Sequence, residues 1–509
     1  MIPASPYFNL FDYFLGDDRL AKIGGHAAIE FRGRSISYRE LRNETENFAG
    51  QLRARGLGEG DRVALLLFDS PEFVACFLAA AKIGAIAVPM NTFLSREDVS
   101  FILADSGARL LVVESELQNK LSASSVFEES SSLVIETDNR TPLRNIQASP
   151  VDAVSTTERT PAFLLYTSGS TGKPKGVLHL HGSIRHTVES YGKTVLRLTG
   201  KDRVYSSSKL FFAYGLGNSL SFPLAAGATV ILDSGRPTAQ GIATLLEEQS
   251  PTVLFGVPAV YLSLLEFVAN GGALNASKLR VCVSAGEALP ASIFEDWHRK
   301  FGLKILDGIG STEMLHIFIS NRETEAQAGS SGTLVPGYDA KLVDDQVSEV
   351  HDLGNLWVRG SSATVGYWSR PELTRETILD GWVRTGDIYR RERDGFFYHI
   401  GRADDCFKVR GLWVSPVEVE GALLAHPLVS DAAVVSAVGS NGLATVKAYV
   451  VIRAEKEKVL KEELITFVRS RIAAYKAPSE IEFIDEMPRT ATGKIQRFKL
   501  RAIARPGGE

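Results

Sequence analysis

The segment YTSGSTGKPKG, residues 166–176, carries the strongest chemical signal in the chain. Its glycines, among them Gly169 and Gly172, permit tight turns in which consecutive backbone N–H groups converge on an anion. The hydroxyls of Thr167, Ser168, Ser170 and Thr171 add donors, and Lys173 and Lys175 add positive charge. A Walker loop needs Ser or Thr directly after its lysine, whereas Pro174 follows Lys173 here. A flexible Gly/Ser linker would not need two lysines and a proline fixed among its glycines. Taken alone, Ser311-Thr312-Glu313 reads as a helix cap with an acid in the first turn. By themselves, Asp387 in a Thr-Gly-Asp turn, Arg402 after Gly401, and Lys494 in Thr-Gly-Lys-Ile would be ordinary surface residues.

Such a loop needs rigid elements on both sides. The apolar run 162–165 supplies a strand before it, and a helix is expected after it. Upstream, Ser37 and Glu40 have capping-box spacing, and Leu41, Thr45, Phe48 and Leu52 recur on one helical face. The continuous apolar run 63–67 suits a strand buried on both faces. Ser70-Pro71-Glu72 opens the next helix, through 73–83 to Gly84, and 85–88 resumes strand character. Strand, helix and strand with short connections predict a parallel α/β sheet.

Residues 118–160, with six serines between Ser122 and Ser132, read as a surface excursion. The α/β alternation resumes from 162 to about 337, and 338–400 is rich in short β runs, as a small barrel would be. Charged residues crowd between glycines over 401–411. Beyond them, Val446, Ala448, Val450 and Ile452 alternate as a half-buried strand, and Leu460, Leu464, Phe467 and Ile472 mark an amphipathic helix. The expectation is an α/β protein. A large domain over 1–400 combines parallel α/β sheets (about 1–337) with a β-barrel-like part (about 338–400). A hinge at 401–411 leads to a small mobile α+β domain over 412–509.

Composition narrows the function. With 509 residues, 44% hydrophobic and 23% charged, the chain is long enough for several packed units and is not a disordered polymer. Its 56 basic and 60 acidic residues balance to −4, which disfavours a nucleic-acid binder. Cys76, Cys282 and Cys406 are odd in number and widely spaced, so neither a disulfide framework nor a cysteine-rich zinc site is expected. The first residues lack a basic stretch followed by an apolar run, and no apolar run reaches the ~18 residues of a membrane span. A cytoplasmic protein without a membrane partner is expected.

YTSGSTGKPKG resembles the phosphate-loop signature of the adenylate-forming superfamily, which contains acyl-CoA and aryl-CoA ligases, peptide-synthetase adenylation domains and beetle luciferases. AGEALP (285–290), GIGSTEM (308–314), RTGDIYRRERDGFFYHIGR (384–402) and PRTATGKIQR (488–497) follow in the family's order. The resemblance implies an acid-thiol ligase. A carboxylate attacks ATP to give an acyl-adenylate and pyrophosphate, and the acyl group then passes to a thiol. Like-charge repulsion opposes the first step, so cations and N–H groups around the α-phosphate are the expected remedy. By resemblance, Thr312 donates to the α-phosphate, Glu313 holds Mg2+, and Lys494 bridges the carboxylate and the phosphate. Asp387 and Arg402 contact the ribose, while Gly286, Glu287, Asp307 and Gly308 frame the adenine. The small domain would pivot at Asp404 between an adenylating and a thiolating state. Gly411 would then approach the pantetheine arm, with Lys408 and Arg410 as candidates for the nucleotide end of CoA. Trp413 stands near these, where some relatives carry arginine.

The acyl pocket implied by the resemblance draws on Phe211, Phe212, Ala213, Tyr214 and Gly215, with Gly308, Ile309, Gly310, His316 and Ile317. These suit a short, flat, largely apolar site, although Phe211 could equally be core. His316 could bond a ring substituent or be a satisfied core histidine. FFAYGLGNS with STEMLHIFISN resembles benzoate-type CoA ligases, so benzoate, a hydroxybenzoate or an aminobenzoate such as anthranilate is the expected acid. ATP, Mg2+ and CoA are the implied cofactors, with the pantetheine of an acyl carrier protein as the alternative acceptor. A regulatory nucleotide site without catalysis is the remaining reading.

Overall fold

The computed structural model describes residues 7–121, 132–135, 151–168, 173–409, 412–439, 443–453, 461–489 and 495–504. By its internal contacts the chain forms two compact units. The first comprises Met1–Asp339 with Val358–Val383, and the second Ala340–Trp357 with Arg384–Glu509.

Among the described residues, the first unit holds a seven-stranded and a nine-stranded sheet. The local signals explain the elements. Ser37 and Glu40 close a capping box on the helix Tyr38–Ala54, whose Leu41, Thr45, Phe48 and Leu52 are buried. Ser70 caps Pro71–Lys82 by accepting from the N–H of Phe73. The flanking strands Arg62–Leu66 and Ile86–Pro89 pair in parallel, as the apolar runs require. Leu110–Glu114 continues that sheet in parallel, and Ser132–Ile135 extends it further. That last strand corrects the reading of 118–160 as a surface excursion alone. Its apolar run, LVI after Ser132, is too short to stand out between serines.

In the nine-stranded sheet, the strands Ile305–Gly310, Val281–Ser284, Val253–Gly256, Arg203–Ser206, Thr229–Leu232 and Ala27–Phe31 run in parallel order. Ile317–Ser320 then turns back antiparallel on Ile305–Gly310. The carboxyl ends of these parallel strands are where α/β sheets place ligands.

In the second unit, residues 387–391 pair antiparallel with Phe397–Arg402, with Asp387 opposite Arg402. Val429–Val438 and Ala444–Ile452 form an antiparallel pair, and Glu480–Phe483 joins in parallel. Val446, Ala448 and Val450 are buried from that alternating strand, and Leu464 meets them from the helix Lys461–Arg469. The α/β class with a β-rich stretch and an α+β end is therefore present.

Candidate functional site

The glycine-rich segment is the end of an antiparallel hairpin. Tyr166, Thr167 and Ser168 on Pro161–Ser168 face Gly176, Lys175 and Pro174 on Pro174–Leu180. A strand thus intervenes before the expected helix, which runs over His181–Thr187, because Val177 and His179 point to a buried face as strand residues do. Gly169, Ser170, Thr171 and Gly172 lie outside the described residues, as does the side chain of Ser168. Lys173 is exposed, and its ammonium lies 5.6 Å from the ring centre of Phe101. The hairpin is braced beside the loop: the hydroxyl of Tyr166 donates to Asp105 Oδ2 at 2.8 Å, and Arg370 pairs with Oδ1 of the same carboxylate at 2.7 Å.

Thr312 and Glu313 sit in the connection between the antiparallel strands Ile305–Gly310 and Ile317–Ser320, so they cap no helix. Successive carbonyls of this turn are tied from outside it. His179 Nε2 lies 2.7 Å from the carbonyl oxygen of Thr312, and the N–H of Thr364 donates to that of Glu313 at 2.7 Å. Ser362 Oγ donates to the carbonyl of Met314 at 2.8 Å. The side chain of Glu313 is held as well, accepting at Oε1 from the hydroxyl of Tyr367 at 2.7 Å. Tyr367 in turn pairs with Val177 of the hairpin, and the ammonium of Lys175 lies 5.8 Å from its ring centre. Loop lysine, tyrosine and carboxylate are thereby brought to one place.

His179, Ser362, Thr364 and Tyr367 were not singled out from the sequence. The alternation around Val177 and His179 was the available signal for the first of them. Burial pushes His179 down to about 4, so the ring is neutral near pH 7, and it stacks on Phe163 at 5.2 Å. The nearby His181, also lowered by burial to about 4, accepts instead from the N–H of Leu10.

At the carboxyl ends of the parallel strands, Gly286 has φ +96°, a conformation glycine adopts without strain. Glu287 beside it is exposed. Asp307 is buried on the neighbouring strand, and burial holds its carboxyl well above the usual range against the N–H groups of Leu289 and Gly308.

The aromatic segment follows the strand Arg203–Ser206. Phe211 is buried, with its ring 4.6 Å from Phe212 and 6.0 Å from Phe93. Ala213 and Gly215 are also buried. Tyr214 points toward the sheet, where its hydroxyl donates to the carbonyl of Gly256 at 3.2 Å. His316 lies among the rings of Phe222 (4.6 Å), Tyr191 (5.2 Å) and Tyr214 (5.5 Å). Its Nε2 lies 3.1 Å from Asn218 Oδ1, and burial pushes the ring down to about 3. A neutral ring protonated at Nε2 donates to that oxygen. Gly217 makes room for that ring: a Cβ there would stand 2.3 Å from His316 Cδ2. Gly308 and Gly310 clear space on the paired strand, where a Cβ would stand 2.8 Å from the carbonyl of Ile319 or 2.6 Å from that of His316. Ile309 is half-buried opposite Ile319, and Ile317 is buried opposite Gly310.

In the second unit, Asp387 and Arg402 form a cross-strand pair at 3.2 Å, and His399 Nε2 lies 3.2 Å from the other carboxylate oxygen. Asp404 is exposed, and its carbonyl accepts from Arg501 at 3.2 Å. Lys408 is exposed on a short strand. Arg410, Gly411, Lys494 and the side chain of Trp413 lie outside the described residues. Among the described residues, no group of three or more His, Cys, Asp or Glu could hold a metal unaided. None of the described helices is long and apolar enough to cross a membrane. Cys76 and Cys282 are buried, unbonded thiols, and burial pushes Cys282 up to about 12.

Comparison with known proteins bears on the family and the fold. Residues 17–368 match the model of the AMP-binding enzyme family, and 418–494 match the AMP-binding enzyme C-terminal domain. A benzoate–CoA ligase of Thauera aromatica is 40% identical over 97% of this chain and 96% of its own length. A 4-hydroxybenzoate–CoA/benzoate–CoA ligase of Rhodopseudomonas palustris is 38% identical over 96% of this chain and 92% of its own. The crystal structure of the anthranilate CoA ligase AuaEII with anthranoyl-AMP superposes with a TM-score of 0.91 at 36% identity, covering 98% of each chain. The chain belongs to the AMP-binding enzyme family.

Proposed function

We propose that the protein joins an aromatic carboxylic acid to CoA in two half-reactions at one site. In the first, a carboxylate oxygen attacks the α-phosphorus of ATP, forming the acyl-adenylate and releasing pyrophosphate. In the second, the CoA thiol attacks the acyl carbon, expelling AMP and giving up its proton as the thioester forms. The observation that carries the reading is the tether between hairpin and turn: His179 and Tyr367, one on the hairpin strand and one paired with it, hold Thr312 and Glu313.

Thr312 donates its hydroxyl to the α-phosphate, while the loop N–H groups and Lys175 hold the outer phosphates. Such fixed donors lower the cost of bringing one anion onto another. Mg2+ characteristically binds through one or two carboxylates plus substrate phosphates, which suits a lone Glu313 rather than a cluster. When bound, it neutralises phosphate charge. Gly286, Glu287, Asp307 and Gly308 frame the adenine, and Asp387 and Arg402 contact the ribose. Lys494 bridges carboxylate and phosphate in the adenylating state, and a pivot at Asp404 exchanges it for the thiolating face with Gly411.

The acid lies against Tyr214, Ile309, Ile317 and His316. Apolar rings and glycine-cleared walls fit a flat aryl group, and relatives acting on benzoate, hydroxybenzoate and anthranilate support that class. Incubation of substituted benzoates with ATP, Mg2+ and CoA, with the thioester measured by chromatography, tests the reading. An aryl-CoA with stoichiometric AMP is expected. A thioester formed only on a holo carrier protein would overturn the acceptor, and no acid-dependent pyrophosphate exchange would overturn the reaction. Lys494→Ala should slow the exchange severely yet spare thioester formation from supplied aryl-adenylate.

A further inference from the structure

Two buried ionisable side chains meet at the start of the aromatic segment. Asp69 stands between the strand Arg62–Leu66 of the seven-stranded sheet and the helix Pro71–Lys82, and is only 3% exposed. Its Oδ1 accepts from the N–H of Leu210 at 2.9 Å, across 141 positions. Lys209, the residue before Leu210, is also buried, and its ammonium donates to the carbonyl of Asp233 at 2.5 Å. Asp233 follows the strand Thr229–Leu232, which lies beside Arg203–Ser206 in the nine-stranded sheet. The same turn is packed from within. The N–H of Phe212 donates to the carbonyl of Lys209 at 3.0 Å, and that of Leu216 to the carbonyl of Phe212 at 2.8 Å. A Cβ on Gly215 would stand 2.0 Å from the Lys209 carbonyl oxygen, so the turn closes directly onto the helix Ala213–Leu216.

We propose that Asp69 is a positioning residue of the aryl site: with Lys209 it fixes the turn 209–212, and through that turn the rings that receive the acid. This rests on the acid–thiol ligase reading and names what holds its aromatic wall. The turn leads from Phe211 and Phe212, whose rings lie 4.6 Å apart, to Tyr214, whose ring lies 5.5 Å from that of His316. A shift of residues 209–210 would therefore pass straight into the wall. Burying a carboxylate is costly, and an asparagine would accept the bond from Leu210 without that cost. What the carboxylate adds is attraction for the ammonium of Lys209. One carboxylate from the first sheet thus holds both the backbone of the turn and the cation that ties the turn to Asp233.

Burial pushes the Asp69 carboxyl up to about 6, opposed by the charge of Lys209 and the N–H of Leu210 and reinforced by Asp233. Tyr205, on the strand Arg203–Ser206, also faces the two carboxylates, and burial raises its hydroxyl, so it stays neutral across that range. Asp69→Asn keeps the size and the acceptor and removes the charge. At saturating ATP near pH 7, its KM for a substituted benzoate should rise about tenfold, the scale of one charge-assisted contact, while its KM for ATP holds. The ratio of the two proteins' KM values for the acid should fall toward one as pH drops through about 6, because the unsubstituted carboxyl then becomes neutral too. Protonation of the acid or of ATP is common to both proteins and cancels from that ratio. Hydrogen exchange in the unsubstituted protein, corrected for the intrinsic effect of pH, reads the same event without a variant. A peptide covering 209–216 should lose protection below that pH, and one covering the strand Val253–Gly256 should not. An unchanged KM for the acid would overturn the proposal. So would an equal rise in the KM for ATP, a ratio independent of pH, or unaltered protection over 209–216. Absence of acid-dependent pyrophosphate exchange in the unsubstituted protein would instead defeat the ligase reading beneath it.

Discussion

Thr312 and His316 lie on the same connection between two strands, yet they are positioned by different means. The Thr312 turn is held by directional bonds, its carbonyls accepting in succession from His179, Thr364 and Ser362. His316 makes one side-chain bond, to Asn218, and is otherwise held by shape, between three aromatic rings and against a glycine that leaves it room. On the proposed function, the difference follows from what each recognises. A phosphoryl group asks for donors at fixed angles, whereas a flat ring asks for a gap of fixed width. A change at one end should therefore alter nucleotide chemistry and leave acid recognition largely intact, and the reverse should hold at the other.

The sharpest way to break this contrast is Thr312→Val, which removes the donor and keeps the shape. It should lower the rate of pyrophosphate exchange by about 10²–10³-fold, with little change in the KM for the acid. An equal loss in acid affinity would mean that the two ends are not separable. Gly217→Ala attacks the other end. The new Cβ must displace the His316 ring, so the KM for the acid should rise steeply while that for ATP holds. Overpacking of this kind costs about 1–3 kcal/mol, which a thermal melt would register.

Smaller effects sharpen the comparison. Tyr367→Phe frees one oxygen of Glu313 without changing its charge. The Mg2+ concentration for half-maximal exchange should rise by roughly three- to tenfold, the scale of one hydrogen bond to a charged group. Calorimetric titration of Mg2+ into the protein with a nonhydrolysable ATP analogue should show the same shift.

The histidines of both ends are buried neutral, with His179 lowered to about 4 and His316 to about 3. Unfolded imidazoles take up protons below about 6.5, where the native ones do not, so the unfolded state binds more protons. Stability should fall as pH drops from 7 toward 4, by about 1.4 kcal/mol per pH unit for each such ring. His179→Gln should flatten that decline in urea-unfolding curves measured across the interval.

These two ends also differ in how legible they were. Thr167, Lys175, Thr312 and Glu313 are adjacent to fixed neighbours, so their order along the chain announced them. Their tethers did not. His179 meets Thr312 across 133 positions, and a histidine alternating with apolar residues looks like any strand residue. The strand between the loop and the helix His181–Thr187 was missed for the same reason, since the return strand of a hairpin is defined by its partner. Around His316, the aromatic run was visible, but Asn218 meets His316 across 98 positions. Whether Gly217 is a turn or a clearance depends on the ring opposite. Motif order exposes contacts made by consecutive residues; folding creates the others.

The account turns on Thr312 and the aryl pocket serving one bound intermediate. A crystal structure with a nonhydrolysable benzoyl-adenylate analogue tests this most directly. The hydroxyl of Thr312 should lie within hydrogen-bond distance of an α-phosphate oxygen, with the benzoyl ring against Tyr214 and His316. An analogue bound with its phosphate away from Thr312, or its ring outside that pocket, would contradict the account.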